Sequence, residues 1–199
     1  SFSFHAVKNL ATGDGGMLTF SDPEYDARLR RLRWVGIDKD TWDRSEIDHK
    51  YSWYYTVQEL GWKYHMNDIT AAIGLAQLEK LDRGNARRRE IVAYYNDRFS
   101  DLDCLETPVQ KSYAGSACHN YVIKLDRRDQ LIAYLRDRNI STGVHYMPNH
   151  LYTMYRGYRA HVPVAERVWQ RLVTLPLYPG MTDWDVERVV RGVRSFCKS

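Results

Sequence analysis

Residues 1–16, SFSFHAVKNLATGDGG, decide how the rest of the chain is read. Phe2 and Phe4 alternate with Ser1, Ser3 and His5, the period-two pattern of a short strand. Lys8 follows in a polar turn, and Gly13, Gly15 and Gly16 close that turn. A lone lysine is by default a surface residue. The alternative is a reactive amine displayed past a strand end by a rigid scaffold. The local sequence leaves both readings open, and the remaining residues have to choose.

The chain has 199 residues, enough for one large domain or two small ones. Hydrophobic content of 44% and charged content of 27% fit an ordinary globular protein. The 15 Tyr and 6 Trp supply bulk together with hydroxyl and indole donors. No apolar run approaches the roughly 20 residues of a membrane span, and no basic, apolar, small-residue leader opens the sequence. The expectation is a cytoplasmic protein with no membrane partner. The densest basic runs are Arg28, Arg30, Arg31 and Arg33, then Arg87, Arg88 and Arg89. Both lie in helical patterns beside acidic residues, so they read as solvated helix faces rather than nucleic-acid contacts. The net charge of +4 suits a phosphate-bearing small ligand. Cys104, Cys118 and Cys197 are odd in number and widely spaced. They show no metal-site spacing, and reduced thiols are expected.

Taken in order, residues 17–20 read as a second strand. Asp22 and Pro23 supply a helix cap and first helical position, with Leu29 and Leu32 on the apolar side. Residues 38–57 form a long polar and aromatic loop, of a length that is often functional. Asn67-Asp68 caps a helix whose small residues Ala71, Ala72, Gly74 and Ala76 permit close approach to a neighbouring element or subunit. The plainer reading is a buried core helix. A second helix is expected over about 85–99, with Ile91, Tyr94, Tyr95 and Phe99 near one face. The composition shifts between 100 and 115. Beyond it come a strand at 119–125, a helix at 129–139, a strand at 140–146 and short helices at 151–155 and 163–172. Residues 175–179 are extended. Thr182 caps a last helix with Asp183 and Asp185 at its start and Arg191 and Arg194 near its end, as the macrodipole prefers. This is the pattern of a compact α+β subdomain. The opening strands lack sheet partners, so the sequence looks like the C-terminal part of something larger.

Four segments, SFHAVKNLATGDGGML, GWKYHMNDITAAIGLAQLEKLD, GVHYMPNH and LPLYPGMTDWDVERVV, together resemble the DegT/DnrJ/EryC1/StrS family of pyridoxal 5′-phosphate (PLP) sugar aminotransferases. The resemblance runs over nearly the whole chain. The loop with Trp42-Asp43-Arg44 and Ser52-Trp53-Tyr54-Tyr55 is most similar to members acting on nucleotide-linked 4-keto sugars. The fold this implies is α/β, aspartate aminotransferase-like (fold type I). Residues 1–105 would be the C-terminal part of the PLP-binding large domain with its linking helices, and 106–199 the small α+β C-terminal domain. Family members carry roughly as much chain again before the lysine.

What the resemblance implies for the site is specific. Lys8 is the catalytic lysine, joined covalently to PLP, with the cofactor as electron sink; once displaced, its amine carries the proton. Ser3 places a hydroxyl on the cofactor phosphate. Lys63 stands where many members have Asn, at the phosphate of the neighbouring subunit's cofactor, and a lysine can bind phosphate as a point charge. His145 belongs to the substrate side, with a packing role as the alternative. His65 stands where relatives have Asn or Arg. The glycine turn reads as a reversal and not a phosphate cradle, because no helix starts after it. No metal is implied. The implied reaction moves an amino group from L-glutamate to a keto group of a nucleotide-linked deoxysugar, in a homodimer serving polysaccharide biosynthesis. Two rivals remain at this point: a PLP- or PMP-dependent sugar dehydratase, in which relatives carry His in place of the lysine, and a non-catalytic dimerisation or regulatory fragment.

Overall fold

The computed structural model describes residues 1–39, 55–158 and 160–199. The interior of the expected 38–57 loop, including Trp42 and Trp53, lies outside the described residues. Two compact units are present, Ser1–Glu79 and Lys80–Ser199.

In the first unit, β1 (Phe2–Ser3) pairs antiparallel with β2 (Gly16–Met17), Phe2 opposite Met17 and Ser3 opposite Gly16. The second strand is shorter than the expected 17–20, since pairing stops at Met17. Helix α1 (Pro23–Arg33) begins as its sequence dictates. The Asp22 carboxylate accepts from the Glu24 amide at 2.9 Å, Pro23 takes the first turn, and Asp26 pairs with Arg30 at 2.8 Å.

Helix α2 (Asp68–Phe99) runs 32 residues without a break. This corrects the expectation of two helices. The segment Asp82-Arg83-Gly84-Asn85 carries a terminator glycine followed by a capping asparagine, so local signals favour a stop. The helix continues because its second half is buried through Arg88, Ile91, Tyr95 and Phe99, and tertiary packing outweighs a glycine's cost of about 1 kcal/mol. The first half is not the buried core helix of the plainer reading, for Ile69, Leu75 and Leu78 are all more than half exposed.

The second unit holds an antiparallel pair, β3 (Tyr121–Lys124) against β4 (Leu172–Leu175). Helix α3 (Arg128–Arg136), two 3-10 segments (Asn149–Leu151 and Thr153–Tyr158), α4 (Pro163–Trp169) and α5 (Asp183–Cys197) complete it. The expected strand at 140–146 is reduced to one bridge, in which Gly143 and Thr174 exchange both backbone bonds at 3.0 and 2.7 Å. The ring of His145 folds back against Gly143, where a Cβ would stand 2.7 Å from His145 Cε1. The segment therefore does not stay in a pleated register. Helix α5 opens on a reciprocal cap between Thr182 and Asp185 and buries Val186, Val189, Val190, Val193 and Phe196, the spacing of one helical face. The buried phenols of Tyr95 and Tyr121 keep their hydrogen bonds, donating to Pro176 O at 3.0 Å and Asn96 Oδ1 at 2.8 Å. Burial pushes both phenols far above their usual range.

Two charge and redox expectations are corrected here. Arg88 is not on a solvated face: it is buried and donates to Leu177 O at 2.8 Å, and desolvation pulls its guanidinium below the ordinary value. Nor are all three cysteines reduced. Cys104 and Cys197 form a disulfide across 93 residues, while Cys118 is a buried free thiol. Spacing along the chain carried no signal of that pairing, which arises because the end of α5 packs beside Cys104. Breaking it by dithiothreitol or by Cys197→Ser is expected to cost about 2–5 kcal/mol, read as a lower urea midpoint with a steeper slope, because the unbridged unfolded chain exposes more surface.

Near the same helix, Arg194 grips the Asp101 carboxylate with bonds of 2.5 and 2.8 Å and holds its pKa at about 2, below the ordinary 3.8. A carboxylate depressed in the folded state contributes stability above its unfolded pKa, and that contribution is lost as pH falls from about 4 through 2. Arg194→Met is expected to return the Asp101 titration toward 3.8 in a carboxyl NMR series and to move acid unfolding of this unit to higher pH.

Candidate active site

The turn carrying Lys8 is closed by backbone bonds on both limbs. Phe4 N donates to Gly15 O at 2.9 Å, Ala6 N to Gly13 O at 3.0 Å, and Thr12 N to Phe4 O at 2.9 Å. Lys8 N donates to His5 O at 2.9 Å, which tightens the step between strand and lysine. Gly13 and Gly15 have φ of 90° and 112°, a region that suits glycine and few other residues. The expected reversal is therefore present. Thr12 is the buried residue at its base, and its hydroxyl donates to Asp14 O at 2.5 Å. Helix α2 makes room for it at Gly74, where a Cβ would stand 3.2 Å from Thr12 Cγ2. The result is a half-buried Lys8 on a pinned loop, with Ser3 exposed on the adjoining strand and its Oγ accepting from His5 N at 3.4 Å.

Lys63 belongs to a second structure in the same unit. The end of α1 and residues 57–64 are laced by Trp62 N to Leu32 O at 2.7 Å, Tyr64 N to Arg33 O at 2.8 Å, Val35 N to Trp62 O at 3.0 Å and Gln58 N to Gly36 O at 3.0 Å. Gly36, at φ 78°, and Gly61 let the two backbones touch: a Cβ on Gly61 would lie 2.2 Å from Gly36 N and 2.7 Å from Val35 C. Asp38 and Thr56 are joined directly, the Thr56 hydroxyl donating to Asp38 Oδ2 at 2.7 Å and the amide to Oδ1 at 3.0 Å. Those bonds hold the Asp38 carboxyl below its usual range. Lys63 Nζ rests 3.3 Å from the centroid of the Trp34 ring, and His65 meets that ring edge-on at 4.2 Å.

His145 lies in the other unit. Its Nδ1 is 2.8 Å from Thr174 Oγ1, an anchor on β4. His150 Nε2 meets Glu166 Oε1 at 2.7 Å, tying the first 3-10 segment to α4. Ser3 and Lys8 thus share one turn, whereas Lys63 and His145 sit on separate supports. Sequence reasoning missed Thr12 and Trp34. The Thr12 hydroxyl bonds a backbone carbonyl that any residue at 14 would offer, and Trp34 is 29 positions from Lys63, so nothing local marks either.

This architecture is that of fold type I PLP enzymes. The chain superposes on the crystal structure of an aminotransferase, TlmJ from Streptoalloteichus hindustanus, with a TM-score of 0.86 and 36% identity, over 97% of this chain and 50% of that one. It belongs to the DegT/DnrJ/EryC1/StrS aminotransferase family, whose model matches residues 1–194. It is 43% identical to the uncharacterized protein MJ1066 of Methanocaldococcus jannaschii, over 98% of this chain and 52% of that protein. It is 41% identical to the spore coat polysaccharide biosynthesis protein SpsC of Bacillus subtilis, over 100% of this chain and 53% of that one. The chain spans about half the length of the curated relatives it matches.

The glycine contact gives a direct test of the Lys63 support. Gly61→Ala would drive a methyl into three backbone atoms that have no rotamer to yield. The expected outcome is a loss of at least about 1–3 kcal/mol and faster hydrogen exchange at the Val35, Trp62 and Tyr64 amides, with the Phe4 and Thr12 amides unchanged.

Proposed function

We propose that this chain is part of a PLP-dependent sugar aminotransferase that takes its amino group from L-glutamate and delivers it to a keto group of a nucleotide-linked deoxysugar. The observation that carries the reading is the half-buried Lys8 on a turn fixed at both limbs, in a chain of this family. The donor set fits a phosphorylated aldehyde cofactor: a primary amine at Lys8, a hydroxyl at exposed Ser3, and an ammonium at Lys63 that no carboxylate pairs with among the described residues. When bound, PLP supplies the electron sink that stabilises negative charge at the substrate carbon.

The residues of this chain divide the remaining work. Lys8 holds the cofactor through Nζ and, once released, moves a proton at that same atom. A lysine does so and a histidine in its place would not, which disfavours the dehydratase alternative. Ser3 Oγ donates to the cofactor phosphate, and Lys63 balances phosphate charge on a neighbouring subunit's cofactor. His145, held at Nδ1 by Thr174, keeps Nε2 for the substrate. In this reading residues 1–105 complete the large domain, 106–199 form the small domain, and a cytoplasmic homodimer is the working assembly. The name of the SpsC relative supports polysaccharide biosynthesis as the setting. A purely structural fragment would need neither the amine nor its pinned turn.

The test is chemical. Borohydride reduction of the PLP-loaded intact protein should fix the cofactor mass on the peptide containing Lys8. Lys8→Ala should remove both that mass and the visible absorbance band. Labelling of a different lysine would overturn the assignment.

A further inference from the structure

We infer that Trp34 is the positioning residue for Lys63, holding its ammonium in place without neutralising it. The inference rests on the reading of Lys63 as a phosphate-binding cation. Trp34 and Lys63 face each other across an antiparallel bridge, with Tyr64 N donating to Arg33 O at 2.8 Å and Val35 N to Trp62 O at 3.0 Å on either side. Directly opposed residues on such a pair share one face. The ammonium lies 3.3 Å from the ring centroid, where the negative face of the indole attracts a cation. His65 packs edge-on against the same indole at 4.2 Å and 86°, which fixes the ring plane.

The choice of an aromatic partner has a consequence that a carboxylate would not have. An aspartate or glutamate would cancel the charge and occupy the N–H donors. A π-face takes one side of the ammonium and leaves the full positive charge, with donors on the side away from the ring. Glu59 is the acidic residue within 57–64, and Arg28 and Arg31 hold its two oxygens at 3.2 and 3.5 Å. The nearby carboxylate is thereby engaged elsewhere. What remains, among the described residues, is a cation with restricted freedom and no paired carboxylate, the state that binds a phosphate with the least ordering cost.

The experiment is a double-mutant cycle in the intact protein, reading the dissociation constant of PLP alongside the proton NMR signals of the Lys63 ε-methylene. In the unaltered protein those signals should be shifted upfield by the indole ring current, and Trp34→Leu should abolish the shift. Trp34→Leu should weaken PLP binding about two- to fivefold, the range of an exposed cation–π contact. Trp34→Phe, which keeps a weaker π-face and a similar bulk, should lose less. In a Lys63→Met background Trp34→Leu should have no further effect. An unshifted ε-methylene, or an equal loss from Trp34→Leu with and without Lys63, overturns the positioning role alone. Unchanged PLP binding in Lys63→Met overturns the phosphate reading of Lys63 and the inference with it. If Trp34→Leu does not fold, Trp34→Phe and the ring-current shift decide.

Discussion

The hydroxyl and amide of Thr12 are the constraint on which the lysine turn depends. The amide closes the turn onto Phe4 and the hydroxyl closes it onto Asp14, while the side chain is buried at Gly74. The backbone that carries Lys8 is thereby ordered before any ligand arrives. Backbone pairing between Phe4 and Gly15, and between Ala6 and Gly13, fixes the loop. Glycines at positive φ allow the chain to reverse in so few residues.

The two compact units are held by different physics. The C-terminal unit has a conventional core in which Ile91, Tyr95, Tyr121, Ile123, Leu131, Val190 and their neighbours exclude water. A disulfide and the Asp101–Arg194 pair add to it at the end of α5. The N-terminal unit relies on main-chain pairing and on glycines that let backbones touch. Its apolar side chains are largely uncovered, with Leu60, Ile69 and Leu75 each more than two-thirds exposed. Exposed apolar surface of that extent marks interaction sites, and it accords with a chain that spans about half the length of its relatives.

Cationic side chains in this molecule differ by what they touch, and that difference assigns their work. Arg88 is committed to backbone carbonyls in the core, and Arg87 to Asp183 and Glu90. Arg28 and Arg31 share Glu59. Among the described residues, Lys63 differs from these in resting on an aromatic face with no carboxylate partner. A run of arginines in the sequence says nothing of this, since burial and partners are set by elements far apart in the chain.

The sequence by itself determined the strand, the lysine, the glycine reversal, the caps at Asp22 and Thr182, and the family. Each local feature is written in contiguous residues whose chemistry acts locally, and the family in four such segments taken in order. Its errors fell where local signals met distant packing. The sequence predicts a second helix over about 85–99, yet the buried face of α2 carries one helix through. Residues 140–146 alternated like a strand, yet the His145 ring folded against Gly143 reduces them to one bridge. Only the tertiary structure paired Cys104 with Cys197, buried Arg88, seated Thr12 at Gly74 and laid Lys63 on Trp34. Contacts between residues so far apart in the chain leave no periodicity and no spacing to read, because proximity there is a property of the folded chain.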